Sequence, residues 1–212
     1  MNEIPKLLQD DKGLYLCSDN MELRADFERM IPRLKENNLR GELIVKAAKI
    51  KGKSEIRAVD STGGLGEDAL LLAASGIRVR VFERNEIIYR LLEDATLRGR
   101  ATEGLKEACN RMEPLCEDSI LGLQKLDFRP DIILLDPMFP EKQKSSLTKK
   151  KLQLFQRIVP PCFDEEDLLK AAFDAGPDKI IIKRPLKGPY LGGIKPSYSY
   201  EGKTVRIDCI VL

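Results

Sequence analysis

At 212 residues, 42% hydrophobic and 33% charged, the chain can bury one sizeable core, and its length suits one domain with a small appendage. It contains no histidine, which removes the commonest general base near neutral pH and the commonest metal ligand, so triad hydrolysis and zinc chemistry are not expected. Net charge is only +2 but uneven: residues 1–30 hold four Lys/Arg against seven Asp/Glu, 141–157 six against one, and 179–206 seven against one. A basic C-terminal half is what a polyanion-binding surface would show, or simply a solvated face. Along the chain, residues 1–50 read as a polar, mostly helical N-terminal extension, with Leu43, Ile44, Ala47, Ala48 and Ile50 at helical spacing before Gly52. From 51 to 212 strands and helices alternate. A short strand over 56–59 ends at Asp60, and Gly66 opens a helix that stops at Gly76. A second strand spans 77–82, followed by a helix capped by Asn85 and running to about residue 98. A weaker apolar run gives a third strand at 112–116, a strong one gives the fourth at 131–135, and 179–182 reads as a fifth. The tail reads as a hairpin, 198–200 and 204–211 joined around Glu201-Gly202-Lys203.

Alternating elements of this kind predict a parallel sheet with helices on both faces. The expected fold is α/β and Rossmann-like: a mostly parallel, seven-stranded sheet that finishes on an antiparallel hairpin. Such an ending is the pattern of sheets that bind S-adenosylmethionine (SAM). The five cysteines are odd in number, widely spaced and form no C-x-x-C pair, so reduced thiols in a cytoplasmic protein are expected. No apolar run approaches the roughly 20 residues of a membrane helix, and residues 1–10 carry no secretion pattern.

Three constellations point to chemistry. Asp60-Ser61-Thr62-Gly63-Gly64-Leu65-Gly66 lies between a strand and a helix, where glycines let the backbone approach a ligand and the helix offers free N–H groups. Asp60 adds a carboxylate that suits the cationic amino-acid end of SAM. Glu83 ends the second strand, where an acid can accept both ribose hydroxyls, or else pair with Arg80 or Arg84 on the surface. These two features serve NAD as well as SAM, because Gly64-x-Gly66-x-x-Ala69 also fits the dinucleotide fingerprint. Asp136-Pro137-Met138-Phe139-Pro140 is more discriminating. It is similar to the Asp/Asn-Pro-Pro-Tyr/Phe motif of methyltransferases that act on exocyclic amines of nucleobases. Such an amine is a poor nucleophile because its lone pair is delocalised into the ring. Hydrogen bonds to the Asp136 carboxylate and the Pro137 carbonyl would aim it, and Phe139 would stack on the base. The alternative is that Asp-Pro ends a strand and Phe139 packs in the core. Asp118-Ser119 follows the third strand, where an adenine edge could be held, although Asp118 is equally suited to N-cap the next helix.

Asp60 to Asp68, Phe82-Glu-Arg-Asn85, Leu135-Asp-Pro-Met-Phe-Pro140, Lys142-Gln-Lys-Ser145 and Lys183-Arg184-Pro185 together resemble the RsmJ family of 16S ribosomal RNA guanine-N2 methyltransferases. The similarity runs from about Phe27 to the C-terminal residues, and makes 51–212 a SAM-dependent methyltransferase domain. The resemblance implies SAM contacts at Glu67, Asp68, Glu83, Arg84, Asp118, Ser119 and Asp136. It also implies 16S ribosomal RNA, or the small ribosomal subunit, as the partner. Lys142, Lys144, Lys149, Lys150 and Lys151 are then candidates to hold RNA phosphates beside the target base, with Lys183, Arg184, Lys187 and Lys195 flanking the other side. Three rivals stay open on sequence alone: a SAM enzyme acting on a protein glutamine or a small molecule, an NAD-dependent oxidoreductase, and a non-catalytic RNA-binding module.

Overall fold

The computed structural model describes residues 4–19, 21–137, 154, 158–159 and 164–212. Its centre is a seven-stranded sheet. In chain order the strands are β4 (Arg57–Asp60), β5 (Arg78–Phe82), β6 (Met112–Leu115), β7 (Ile132–Leu135), β8 (Lys179–Pro185), β9 (Tyr198–Glu201) and β10 (Val205–Val211), and in space they run β6-β5-β4-β7-β8-β10-β9. The first five are parallel, whereas β10 lies antiparallel to both β8 and β9. This is the sheet expected from the sequence, with most strand ends within two residues of those read from periodicity and β8 running on to Pro185.

Parallel strands buried on both faces need apolar side chains at every position, and β7 meets that need with Ile132, Ile133, Leu134 and Leu135, all 0% exposed. The pleat divides them. Ile132 and Leu134 join Ala58, Val79, Val81 and Ile181 in a core under α3 (Leu43–Ala47), α4 (Glu67–Ala74) and α5 (Glu86–Ala101). Ile133 and Leu135 join Val59, Phe82, Ile180 and Ile182 on the opposite face, under α7 (Ser119–Gln124) and α8 (Glu165–Asp174). Two short helices, α1 (Ile31–Leu34) and α2 (Glu36–Leu39), precede α3, and α6 (Lys106–Cys109) follows α5. No helix among the described residues is long and apolar enough to cross a membrane.

The N-terminal segment differs from expectation. Instead of a mostly helical stretch over 1–50, a three-stranded antiparallel sheet occupies β1 (Lys6–Asp10), β2 (Gly13–Ser18) and β3 (Met21–Leu23), and helix begins only after Phe27. The reason is local. Asp10 faces Gly13 across a tight turn, and Gly13 has φ +102°, a conformation that suits glycine and ends any helical run. Arg24 locks the turn, donating to the Gly13 carbonyl (2.6 Å) and to Asp10 (2.8 Å). Leu16, Met21 and Leu23 then enter the same core as Ile132 and Leu134. Leu14 N–H donates to Asp94 of α5, and Arg98 of α5 donates to the Ala25 carbonyl.

Candidate active site

The strand order reverses between β4 and β7, and the crevice at their carboxyl ends is where open α/β sheets receive ligands. The chain enters it at Asp60, whose carboxylate accepts the Thr62 N–H at 3.0 Å. Ser61 N–H donates to Leu134 O and Gly63 N–H to Phe82 O, so the turn is stitched to both neighbouring strands. A Cβ at Gly63 would lie 2.7 Å from Val81 and 2.9 Å from the Phe82 carbonyl, which leaves room only for glycine. Gly66 has φ +79°, and a Cβ there would run into Leu92 and lie 3.1 Å from the ring of Phe27. The turn then passes into α4.

Glu83, at the end of β5, is 8% exposed. It pairs with neither Arg80 nor Arg84 among the described contacts. Its two oxygens accept the Gly64 N–H (2.8 Å) and the Asn85 N–H (2.7 Å), tying the glycine turn to the start of α5. Burial pushes its carboxyl above the ordinary value, and those two N–H groups pull it back. Arg84 instead meets Asp164 at 2.7 Å and Asp118 at 3.7 Å. Asp118 N-caps α7 through the Ile120 N–H (2.9 Å), the local role its position suggests. It nevertheless lines the crevice, as does Ser119, whose hydroxyl donates to the Ser61 carbonyl.

Asp136 and Pro137 close the crevice from the end of β7. Asp136 N–H donates to Thr62 Oγ1 at 2.7 Å, so Thr62 bridges the first and fourth parallel strands through Asp60 and Asp136. The Asp136 carboxylate meets Lys183 Nζ of β8 at 2.9 Å, and the same ammonium meets Asp68 of α4 at 2.5 Å. Burial raises the Asp136 carboxyl, and Lys183 opposes that rise. Burial costs the Lys183 ammonium as well, but Asp136 and Asp68 outweigh it and hold the proton on firmly. Asp60 is 2% exposed and is pushed up to about 7, chiefly by burial and further by Asp68 and Asp136.

A single cavity therefore brings together Gly64, Glu83, Arg84, Asp118, Ser119, Asp136 and Pro137 from the expected set, together with Ser61, Thr62, Phe82, Ile120 and Leu168. Sequence reasoning misses Ser61 and Thr62 as site residues, although they lie inside the glycine turn that it singles out. Asp60 and Gly66 shape that turn without lining the cavity. Glu67 is drawn away into an ion pair with Arg29, and Asp68 is engaged by Lys183. Two residues expected at an RNA surface are engaged by other groups of the chain. Arg184 is 2% exposed, donates to the Pro189 carbonyl and approaches Glu165 at 3.5 Å, while Lys183 faces the two aspartates. Phe139, Lys142, Lys144, Lys149, Lys150 and Lys151 lie outside the described residues.

The cavity suits SAM. Ser61 Oγ is buried with no hydrogen-bond partner among the described residues, a polar atom left for a ligand. Phe82, Ile120 and Leu168 are apolar lining against which a heteroaromatic ring could pack, and the carboxylates of Glu83, Asp118 and Asp136 in the same lining suit a cation. Among the described residues no group of three or more His, Cys, Asp or Glu is arranged to hold a metal.

Known proteins point the same way. A SAM-dependent methyltransferase family model matches residues 3–212. Ribosomal RNA small subunit methyltransferase J of Cellvibrio japonicus is 37% identical over 95% of this chain and 81% of its own length. The protein of that name from Serratia proteamaculans is 38% identical, covering 96% and 89%. The crystal structure of a SAM-dependent methyltransferase from Neisseria gonorrhoeae superimposes with a TM-score of 0.77 at 25% identity, over 99% of this chain and 83% of that one. With such a match the NAD-dependent reading of the glycine turn falls away, and the chain belongs to the ribosomal RNA small subunit methyltransferase J family of SAM-dependent methyltransferases.

Proposed function

We propose that this chain methylates the exocyclic N2 of a guanine in 16S ribosomal RNA, in the cytoplasm, on naked RNA or on the small subunit. The observation that carries the reading is that Glu83 of β5 and Asp136-Pro137 of β7 line one cavity at the point where the strand order reverses. An acid able to take ribose hydroxyls, and a carboxylate and a carbonyl able to take amine protons, in one cavity support this reading.

Bound SAM supplies a methyl group activated by a sulfonium cation. Glu83 would accept the ribose hydroxyls, while Asp118 and Ser119 would hold the adenine edge. The Asp136 carboxylate and the Pro137 carbonyl would accept the two N–H bonds of the guanine amine, aiming its lone pair at the methyl group. Phe139 would stack on the base, and Lys142, Lys144, Lys149, Lys150 and Lys151 would hold neighbouring phosphates. Catalysis of this kind is positioning and charge placement, and it needs no histidine.

Mass spectrometry of small-subunit RNA from cells lacking this gene is the test. One N2-methylguanine should be missing, restored by the parent gene and not by Asp136→Ala. An unchanged methylation pattern would overturn the assignment.

A further inference from the structure

Lys183 is part-buried, and its contacts point to a use other than gripping a phosphate. Its ammonium stands between Asp136 Oδ2 at 2.9 Å and Asp68 Oδ2 at 2.5 Å, bridging the ends of β7 and α4 from β8. The site is tightly framed. Asp136 N–H is fixed by Thr62 Oγ1, and Leu134 and Leu135 before it are fully buried. We propose that Lys183 is a positioning residue for methyl transfer, pinning the Asp136 carboxylate in the orientation that receives the target amine. This rests on the role of Asp136 in the proposed function.

An aspartate side chain has two soft torsions, so a carboxylate held only by its backbone samples several rotamers. A bridging ammonium selects one of them and engages a single oxygen, which leaves the other for a substrate N–H. It also keeps that carboxylate an acceptor. The groups facing Asp136 are Lys183 and Arg184 from β8, Asp68 from α4 and Asp60 from β4. The two cations favour its ionised form, whereas burial and Asp68 oppose it. A protonated Asp136 would present a donor to an amine that needs an acceptor. Asp68 has the complementary part of holding Lys183 in place from the other side.

The test is the pH profile of kcat, measured by transfer of labelled methyl groups from SAM to small-subunit RNA from cells lacking this gene. In Lys183→Met the acid limb should move upward by about 1–3 pH units, the usual effect of losing an adjacent opposite charge. Lys183→Arg should keep the parental limb. Asp68→Asn should move it the other way, because removing a neighbouring negative charge favours ionised Asp136. Repeating these in an Asp60→Asn background removes the other buried carboxyl that could titrate here, and the shifts should persist. Melting temperatures show which variants are folded. If Lys183→Met is not, the downward movement expected of Asp68→Asn and the parental limb expected of Lys183→Arg carry the test. Loss of activity at every pH with an unmoved limb would mean a merely structural lysine and overturn the inference. Asp136→Asn measured alongside separates the two claims: parental turnover there would overturn the role of Asp136 itself, whereas inactivity beside unmoved limbs would overturn only that of Lys183.

Discussion

Asp60 offers a quantitative check on the electrostatics of this site. Its carboxyl is 2% exposed, receives the Thr62 N–H and shares its surroundings with Asp68 and Asp136, which together with burial raise it from 3.8 to about 7. The folded chain thus holds this proton more tightly than the unfolded chain does. The resulting stability is fully present below pH 3.8 and is lost as pH rises to about 7, above which the folded state carries the whole cost of a buried charge. At about 1.4 kcal/mol for each decade, raising the carboxyl from 3.8 to about 7 corresponds to about 4 kcal/mol at most. Relaxation around the charge reduces this, so about 2–4 kcal/mol is expected. Asp60→Asn keeps the shape and the acceptor for Thr62 while removing the charge. Urea unfolding of parent and variant from pH 4 to pH 8.5 should show little difference at the acid end and a variant more stable by that amount at the alkaline end. Curves that run parallel across the range would show that Asp60 is not a strained buried carboxylate, and the acidic cluster would need another description.

Other outcomes follow from the same geometry. Glu83→Ala should weaken SAM binding about 10- to 150-fold in titration calorimetry, the range for losing about 1.5–3 kcal/mol of hydrogen bonding to a charged group; an unchanged Kd would remove Glu83 from the ribose. Phe139→Ala should cut methyl transfer by orders of magnitude with SAM affinity nearly intact, and near-normal turnover would exclude base stacking. A Lys149/Lys150/Lys151 triple alanine variant should bind RNA more weakly. The slope of log K against log[salt] should also become shallower, by about 0.7–0.9 for each phosphate that the variant no longer neutralises, as filter binding at several salt concentrations would reveal. An unchanged slope would make that segment an ordinary solvated face.

Much of the sheet is legible in the sequence because its strands are short apolar runs between unmistakable breaks, such as Gly76 before β5 and Asp136-Pro137 after β7. Asn85 is legible as a cap for the same local reason: its side chain accepts from Ile87 and Ile88, only two and three residues away. The N-terminal sheet is not. Residues 6–23 carry few β-branched or aromatic side chains, and the usable signal is the turn at Gly13 followed by alternating Leu14 and Leu16. Within the site, Glu83 and Asp136 can be read from the sequence as cavity residues, but their partners cannot. Lys183 lies 115 residues from Asp68, and Glu67 lies 38 from Arg29, so only the tertiary fold reveals that both charges are already committed. A cluster of Lys and Arg in sequence therefore overstates the basic surface: Arg184 is buried and Lys183 is neutralised by two aspartates, yet both count toward its charge.

The order of strands at the C-terminal edge has a consequence for how the chain can be cut or assembled. β9 is synthesised before β10, yet β10 lies between it and β8. When Tyr198–Glu201 leaves the ribosome it has no sheet to join, and it must wait for Val205–Val211 to arrive and pair on both sides at once. The hairpin is thus a closing wedge rather than an added flap. Stopping the chain at Lys203 would strip two strands, not one, and would leave the whole length of β8, Ile180 and Ile182 included, as a raw edge. Lys183 is carried on that same strand, so a nick in the hairpin would be felt at the Asp136 carboxylate it meets.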